Sequence, residues 1–95
     1  MHILEEEDKT RRIIYLAKER CLHILHEHPE LSVYFYEFAN VLKFPTKIVL
    51  AGYDNNIAYY YKYYKEIRTP EKFLLLVVKY LNGKGFIITA YFTKI

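Results

Sequence analysis

The segment from Lys72 to Thr93 constrains the fold most. It reads KFLLLVVKY, then LNGKG, then FIITAYFT. Two apolar runs rich in β-branched and aromatic side chains, separated by a short Asn-Gly turn, describe a β-hairpin of buried strands. Asn82, Gly83 and Gly85 are residues that take positive φ in such turns. If Tyr80 stands opposite Phe86, alternation places Leu74, Leu76 and Val78 on one face with Phe86, Ile88, Ala90 and Phe92. That face is almost wholly apolar and is assigned to the core. The opposite face carries Leu75, Val77 and Lys79 beside Ile87, Thr89, Tyr91 and Thr93. A row of hydroxyls beside a lysine on the exposed face of a hairpin is the first place to look for chemistry.

Upstream, the segment from about Glu5 to His28 reads as a helix. Ile13, Ala17, Cys21 and Ile24 recur at helical spacing, and Glu5 to Asp8 suit a first turn, where carboxylates complement the dipole. His2 to Leu4 reads as a short edge strand or an unordered start. Pro29 ends the first helix and opens a second, to about Lys43, with Leu31, Tyr34, Phe35, Phe38, Ala39 and Leu42 on its apolar face. Pro45 stops it. Thr46 to Ala51 is a short strand and Gly52 to Asn56 a turn cluster. Ile57 to Glu66 is a strand with two unlike faces, one of Ile57, Tyr59, Tyr61 and Tyr63, the other of Ala58, Tyr60, Lys62 and Tyr64. Helices first and strands after imply an α+β domain, with two N-terminal helices packed on a four-stranded antiparallel sheet.

Ninety-five residues make a single domain. The chain is 53% hydrophobic and 26% charged, a globular composition. A lone cysteine, Cys21, excludes an internal disulfide and any cysteine-rich zinc site, and it reads as core. No apolar run approaches the roughly 18 residues of a membrane helix, and the acidic start lacks the basic region of a secretory signal. A reduced, cytoplasmic setting is expected. The net charge of +3 permits a polyanion partner without demanding one. Eleven tyrosines and six phenylalanines are the outlying feature. Tyrosine suits base stacking and binding surfaces, and it suits a half-buried strand equally well.

His23, His26 and His28 cluster at the end of the first helix without sharing one face, so they do not make a metal set. No metal or other cofactor is expected. His23 is placed to pair with Glu27 and His28 to cap the helix. The sharper reading makes either a general acid or base. Lys62 and Lys79 are solvated lysines or cations aimed at a phosphate, and Thr89 and Tyr91 are hydroxyl donors by the same logic. Together these residue types fit metal-independent RNA cleavage, in which a base activates the 2′-hydroxyl, an acid protonates the 5′-oxygen, and cations steady the phosphoryl oxygens.

Further motifs carry a resemblance. Arg20-Cys-Leu-His23-Ile-Leu-His-Glu-His28-Pro29-Glu30, Leu42-Lys-Phe-Pro45, Tyr59-Tyr60-Tyr61-Lys62, Leu76-Val77-Val78-Lys79 and Phe86-Ile-Ile-Thr89-Ala-Tyr91-Phe-Thr93 resemble segments of small phage and prokaryotic domains of the barnase–EndoU–colicin–RelE (BECR) nuclease superfamily. The resemblance spans roughly residues 20–93. It implies N-terminal helices followed by a four-stranded antiparallel sheet, an RNase activity, and often a toxin with a cognate antitoxin. It nominates His23, His28, Lys62, Lys79, Thr89 and Tyr91. The long charged first helix departs from the family, whose members often begin with a strand.

Three functions are therefore expected in competition. The first is a metal-independent endoribonuclease, a toxin or phage effector. Its RNA would lie across the exposed sheet face, with His23, His28, Lys79, Thr89 and Tyr91 catalytic and Tyr60, Lys62, Tyr64 and Thr93 binding RNA. The second is a non-catalytic module that binds RNA or the ribosome. The third is a protein-interaction module, either one half of a toxin–antitoxin pair or a homodimer.

Overall fold

The computed structural model describes residues Met1–Ile95. Six strands, β1 (His2–Glu7), β2 (Ile13–Ala17), β3 (Lys47–Ala51), β4 (Asp54–Tyr63), β5 (Phe73–Leu81) and β6 (Lys84–Thr93), form one sheet in the order β1-β2-β6-β5-β4-β3. Neighbours are antiparallel except β2 and β6, which run parallel over Ile14↔Gly85 and Tyr15↔Phe86. The crossover from β2 to β3 holds helix α1 (Lys18–Glu27), two 3-10 turns (Pro29–Val33 and Phe35–Glu37) and helix α2 (Phe38–Lys43). The fold is α+β with both helices on one face, but the sheet is six-stranded and mixed. This corrects the expectation of two helices on four antiparallel strands.

An edge strand, one of the two readings of His2 to Leu4, is present and runs on to Glu7, whereas β2 lies wholly within the segment expected to be one long helix. Asp8 ends β1 by folding the chain back on itself. Its Oδ1 accepts hydrogen bonds from the Thr10 N–H (2.9 Å), the Thr10 hydroxyl (2.8 Å) and the Arg12 N–H (2.9 Å). Arg11 sits in the left-handed region at φ 70°, and the Asp8 N–H donates to the Arg12 carbonyl at 2.8 Å. A side chain that satisfies the backbone locally competes with a helix. Beyond the turn, Ile14 and Leu16 are fully buried while Ile13, Tyr15 and Ala17 are half-buried, the alternation of a strand. The helical spacing through Ile13, Ala17, Cys21 and Ile24 crosses a strand–helix junction, and only Cys21 and Ile24 are buried helical residues.

The second expected helix is broken. Tyr34 leaves helical geometry at φ −111°, ψ 3°, and α2 begins only at Phe38. Val33-Tyr34-Phe35-Tyr36 is a run of β-branched and aromatic residues that lose side-chain freedom in a helix, and two 3-10 turns stand there instead, the first carrying Leu31 into the core.

The hairpin forms as expected, with a shifted register. Asn82 (φ 55°) and Gly83 (φ 78°) are both left-handed, which makes a two-residue turn of type I′. That turn pairs Leu81 with Lys84, Tyr80 with Gly85 and Lys79 with Phe86. A bulge then passes Ile88, because Val78 pairs with Ile87 and Val77 with Thr89. Thus Ile87, Ala90 and Phe92 belong to the core side, whereas Phe86 lies across from Lys79 on the other face. Gly85 is needed where β2 meets β6, since a Cβ there would press into Ile14 and come within 2.9 Å of Val78 Cγ1.

One core results. Ile14, Leu16, Ala58, Tyr60, Leu74, Leu76, Val78, Ile87 and Ala90 of the sheet pack against Cys21, Ile24, Leu31, Phe38, Val41 and Leu42. No helix covers the other face. Leu75 and Val77 are nevertheless 3% and 9% exposed there, flanked by Tyr61 and Tyr91, and by Tyr59 and Thr89.

Candidate nucleic-acid interface

Alternation along β4, β5 and β6 builds the uncovered face. It presents Tyr59, Tyr61 and Tyr63, then Phe73, Leu75, Val77 and Lys79, then Phe86, Thr89, Tyr91 and Thr93. The rings form a connected layer. Tyr59 and Tyr61 meet edge-on at 6.4 Å, Tyr61 and Phe73 at 6.3 Å, and Tyr63 and Phe73 lie 5.4 Å apart. Tyr53 extends the layer beyond β4, its hydroxyl 3.4 Å from that of Tyr59. Toward β2, Phe86 stacks on Tyr15 at 5.6 Å, and Tyr15 meets His2 at 4.5 Å.

Cations border this layer. Lys47 Nζ lies 5.6 Å from the centre of the Tyr61 ring and Lys84 Nζ 5.9 Å from that of Tyr15. Lys79 Nζ reaches Asp54 Oδ2 at 3.0 Å. The Asn56 N–H first, and then Lys79, hold the Asp54 carboxyl below its ordinary range. The Tyr53 hydroxyl raises the phenol of Tyr59 above its usual value, with burial adding to it. Burial raises that of Tyr61, helped by Tyr91. Tyr59 and Tyr61 therefore offer rings and neutral hydroxyls at physiological pH.

The structure gathers some of the nominated residues and separates others. Lys79, Thr89, Tyr91 and Thr93 share the uncovered face. His28 caps α1 through its N–H to the Ile24 carbonyl (2.8 Å), and its ring lies 5.8 Å from that of Tyr91. Its Nδ1 is 3.7 Å from Glu30. His23 stands apart on α1, half-exposed and 3.1 Å from Glu27, in a shallow hollow with Glu19 and Arg20. Tyr60, Lys62 and Tyr64 point to the helix side of β4. Tyr60 is fully buried, and its hydroxyl donates to Asp8. Tyr64 is buried and donates to Glu37 Oε1 at 2.6 Å. Burial first, then the carboxylate, pushes each of these two phenols far above its ordinary value. Lys62 Nζ donates to the Phe44 carbonyl at 2.9 Å. These three positions, read in the sequence as an RNA-binding strand face, lie on the opposite side of the sheet from Lys79 and Tyr91.

The residues that take their place are Tyr59, Tyr61 and Tyr63. Alternation shows two sets of tyrosines on β4, but nothing local tells which set faces the helices. A second group was missed altogether, Asp8, Thr10, Arg12 and Tyr80 at the end of the sheet. The signal for it is Asp-x-Thr-x-Arg, an acidic side chain followed by donors two and four residues on.

Chemically, the uncovered face is a stacking platform with amines at its margins. It is a poor constellation for proton transfer. Lys79 and Tyr91 lie four strand positions apart, about 13 Å along the chain direction. His23 is on another surface, and neither imidazole lies within hydrogen-bond reach of a nominated hydroxyl. No helix is long and apolar enough to cross a membrane. No protein-family model, no curated protein and no solved structure matches this chain.

Proposed function

We propose that the uncovered sheet face binds single-stranded RNA without cleaving it. The carrying observation is a sheet face with no second layer, in which Tyr59, Tyr61, Tyr63, Phe73 and Tyr91 surround the buried Leu75 and Val77. Such a face presents flat π surfaces at strand spacing, on which successive bases stack. Lys47, Lys79 and Lys84 stand where a backbone crossing the platform would run, and each phosphate they neutralise makes binding salt-sensitive. The motif resemblance to BECR nucleases supports RNA rather than DNA.

One contact favours the second reading, an endoribonuclease toxin. The His28 imidazole beside Tyr91 is a titratable group at the edge of the same face, and RNA laid over Tyr91 would bring a phosphate near it.

A single experiment separates the readings. Fluorescence anisotropy is followed with labelled single-stranded RNA and DNA oligonucleotides, and the same samples are run on a denaturing gel. The expected result is salt-sensitive binding with the RNA intact. Tyr59→Ala and Tyr91→Ala should each weaken binding by about 1–3 kcal/mol, with circular dichroism unchanged. Unchanged affinity in both variants would sink the platform. Fragments that disappear with His28→Ala would establish cleavage instead.

A further inference from the structure

At the far end of the sheet, three connections meet around Tyr80. These are the β1–β2 turn, the start of β4, and the β5–β6 turn. Between them lies a cleft of about 380 Å³ lined by Arg12, Asn55, Asn56, Tyr80, Asn82 and Gly83, with Leu81 at its edge. Its lining is one cation, three carboxamides and a turn backbone, with no carboxylate among them.

The arginine is held in place. Its guanidinium lies over the Tyr80 ring, Cζ 3.9 Å from the centroid. Nη1 donates to the Thr10 hydroxyl at 2.7 Å, and that hydroxyl donates to Asp8 Oδ1. The same Oδ1 accepts the Arg12 N–H. Tyr80 is fixed from beneath. Asp8 accepts at both oxygens, so Tyr60 must donate to it, and the Tyr60 oxygen then accepts from the Tyr80 hydroxyl at 2.6 Å. A buried carboxylate therefore orients both the guanidinium and the ring it lies on, which is how a binding group is supported from behind.

What is left over faces the cleft. Arg12 forms no ion pair, and only one of its guanidinium nitrogens, Nη1, bonds to a side chain. The carboxamides of Asn55, Asn56 and Asn82 make no hydrogen bond to the protein; the bond from Asn56 to Asp54 uses the backbone N–H. Unengaged donors thus approach one space from three chain segments. A planar guanidinium with further donors around it matches an oxyanion of several terminal oxygens.

We propose that this cleft binds a phosphate monoester, with Arg12 as its charged anchor and Asn55, Asn56 and Asn82 as neutral donors. The volume exceeds that of the phosphate group and leaves room for the rest of a small ester. The group has two sources, a free mononucleotide or the 5′-phosphorylated end of a nucleic-acid strand. The site does not depend on the tyrosine face, which lies on the other side of the sheet.

The test is amide-resolved NMR titration of the full chain with inorganic phosphate, adenosine 5′-monophosphate, adenosine, and a pentanucleotide with or without its 5′-phosphate. Phosphate and the monophosphate should shift the amides of Arg12, Asn55, Asn56, Asn82 and Gly83, and adenosine should not. Arg12→Gln should weaken the monophosphate by at least about tenfold, the value of a charged hydrogen bond. If Arg12→Gln disturbs the fold, Asn55→Asp decides, because it sets a negative charge at the rim without touching the Asp8 network and should weaken binding similarly. Preference for the 5′-phosphorylated strand over its 5′-hydroxyl form assigns the strand end, and equal weak binding of both assigns the free nucleotide. Shifts confined to other residues, no shifts at all, or folded variants that bind as the wild type does would overturn the proposal.

Discussion

The Tyr60 hydroxyl donates to Oδ2 of Asp8, 52 residues away in the chain. This bond ties the middle of β4 to the turn after β1, two elements that are not neighbours in the sheet. Asp8 is 5% exposed, and a buried carboxylate persists only where its oxygens are satisfied. Tyr60→Phe should destabilise the fold by about 1–3 kcal/mol, the cost of stranding a buried polar partner. A double-mutant cycle with Asp8→Asn, read by urea denaturation, should show a coupling of at least about 0.5 kcal/mol. Additive single effects would mean that the bond contributes nothing of its own.

Gly85 occupies the parallel junction of β2 and β6, where Ile14 and Val78 leave no space for a methyl group. Gly85→Ala should cost about 1–3 kcal/mol, as overpacking does in a filled core. Gly52→Ala is the control, since a Cβ there meets nothing within 4 Å. Equal midpoints for the two variants in thermal melts would contradict the packing.

The raised phenols predict alkaline behaviour. Tyr60 and Tyr64 keep their protons in the fold well beyond the ordinary tyrosine value of 10.0, burial being the first cause and the Asp8 or Glu37 hydrogen bond the second. Their contribution to stability is therefore complete below pH 10 and is lost as the pH climbs above it, because the unfolded chain ionises first. Absorbance titration at the phenolate band should show these two tyrosines titrating only with unfolding. A single smooth titration of all eleven tyrosines in the folded state would rule this out.

Asp54 behaves in the opposite sense. Its carboxyl is lowered by the Asn56 N–H and by Lys79, so the stability it brings is present above the ordinary aspartate range and fades as the pH falls through the lowered value. Wild type should exceed Asp54→Asn in melting temperature at neutral pH, with the gap closing in acid. Salt should also shrink the gap, because the Lys79 contact is open to water. A gap unaffected by acid would show that the carboxylate charge plays no part.

The sequence by itself determined the hairpin. Lys72 to Thr93 carries strand residues on both sides of an Asn-Gly turn, and those are local properties that no distant contact needs to correct. The core positions Leu74, Leu76, Val78, Ala90 and Phe92 follow from alternation for the same reason, as do the capping position of His28 and the burial of Cys21. Only the tertiary structure decided the rest. The bulge at Ile88 returns β6 to register after the turn has shifted it, and a bulge leaves no mark on composition. Asp8 makes its turn through local bonds to Thr10 and Arg12, but the burial of its carboxyl is matched by Tyr60, a partner from another part of the chain. The faces of β4 were assigned only when the helices settled on one side, which sent Tyr60, Lys62 and Tyr64 inward and left Tyr59, Tyr61 and Tyr63 facing water. Periodicity shows that two faces exist. Which one is covered depends on packing between segments that local sequence does not connect.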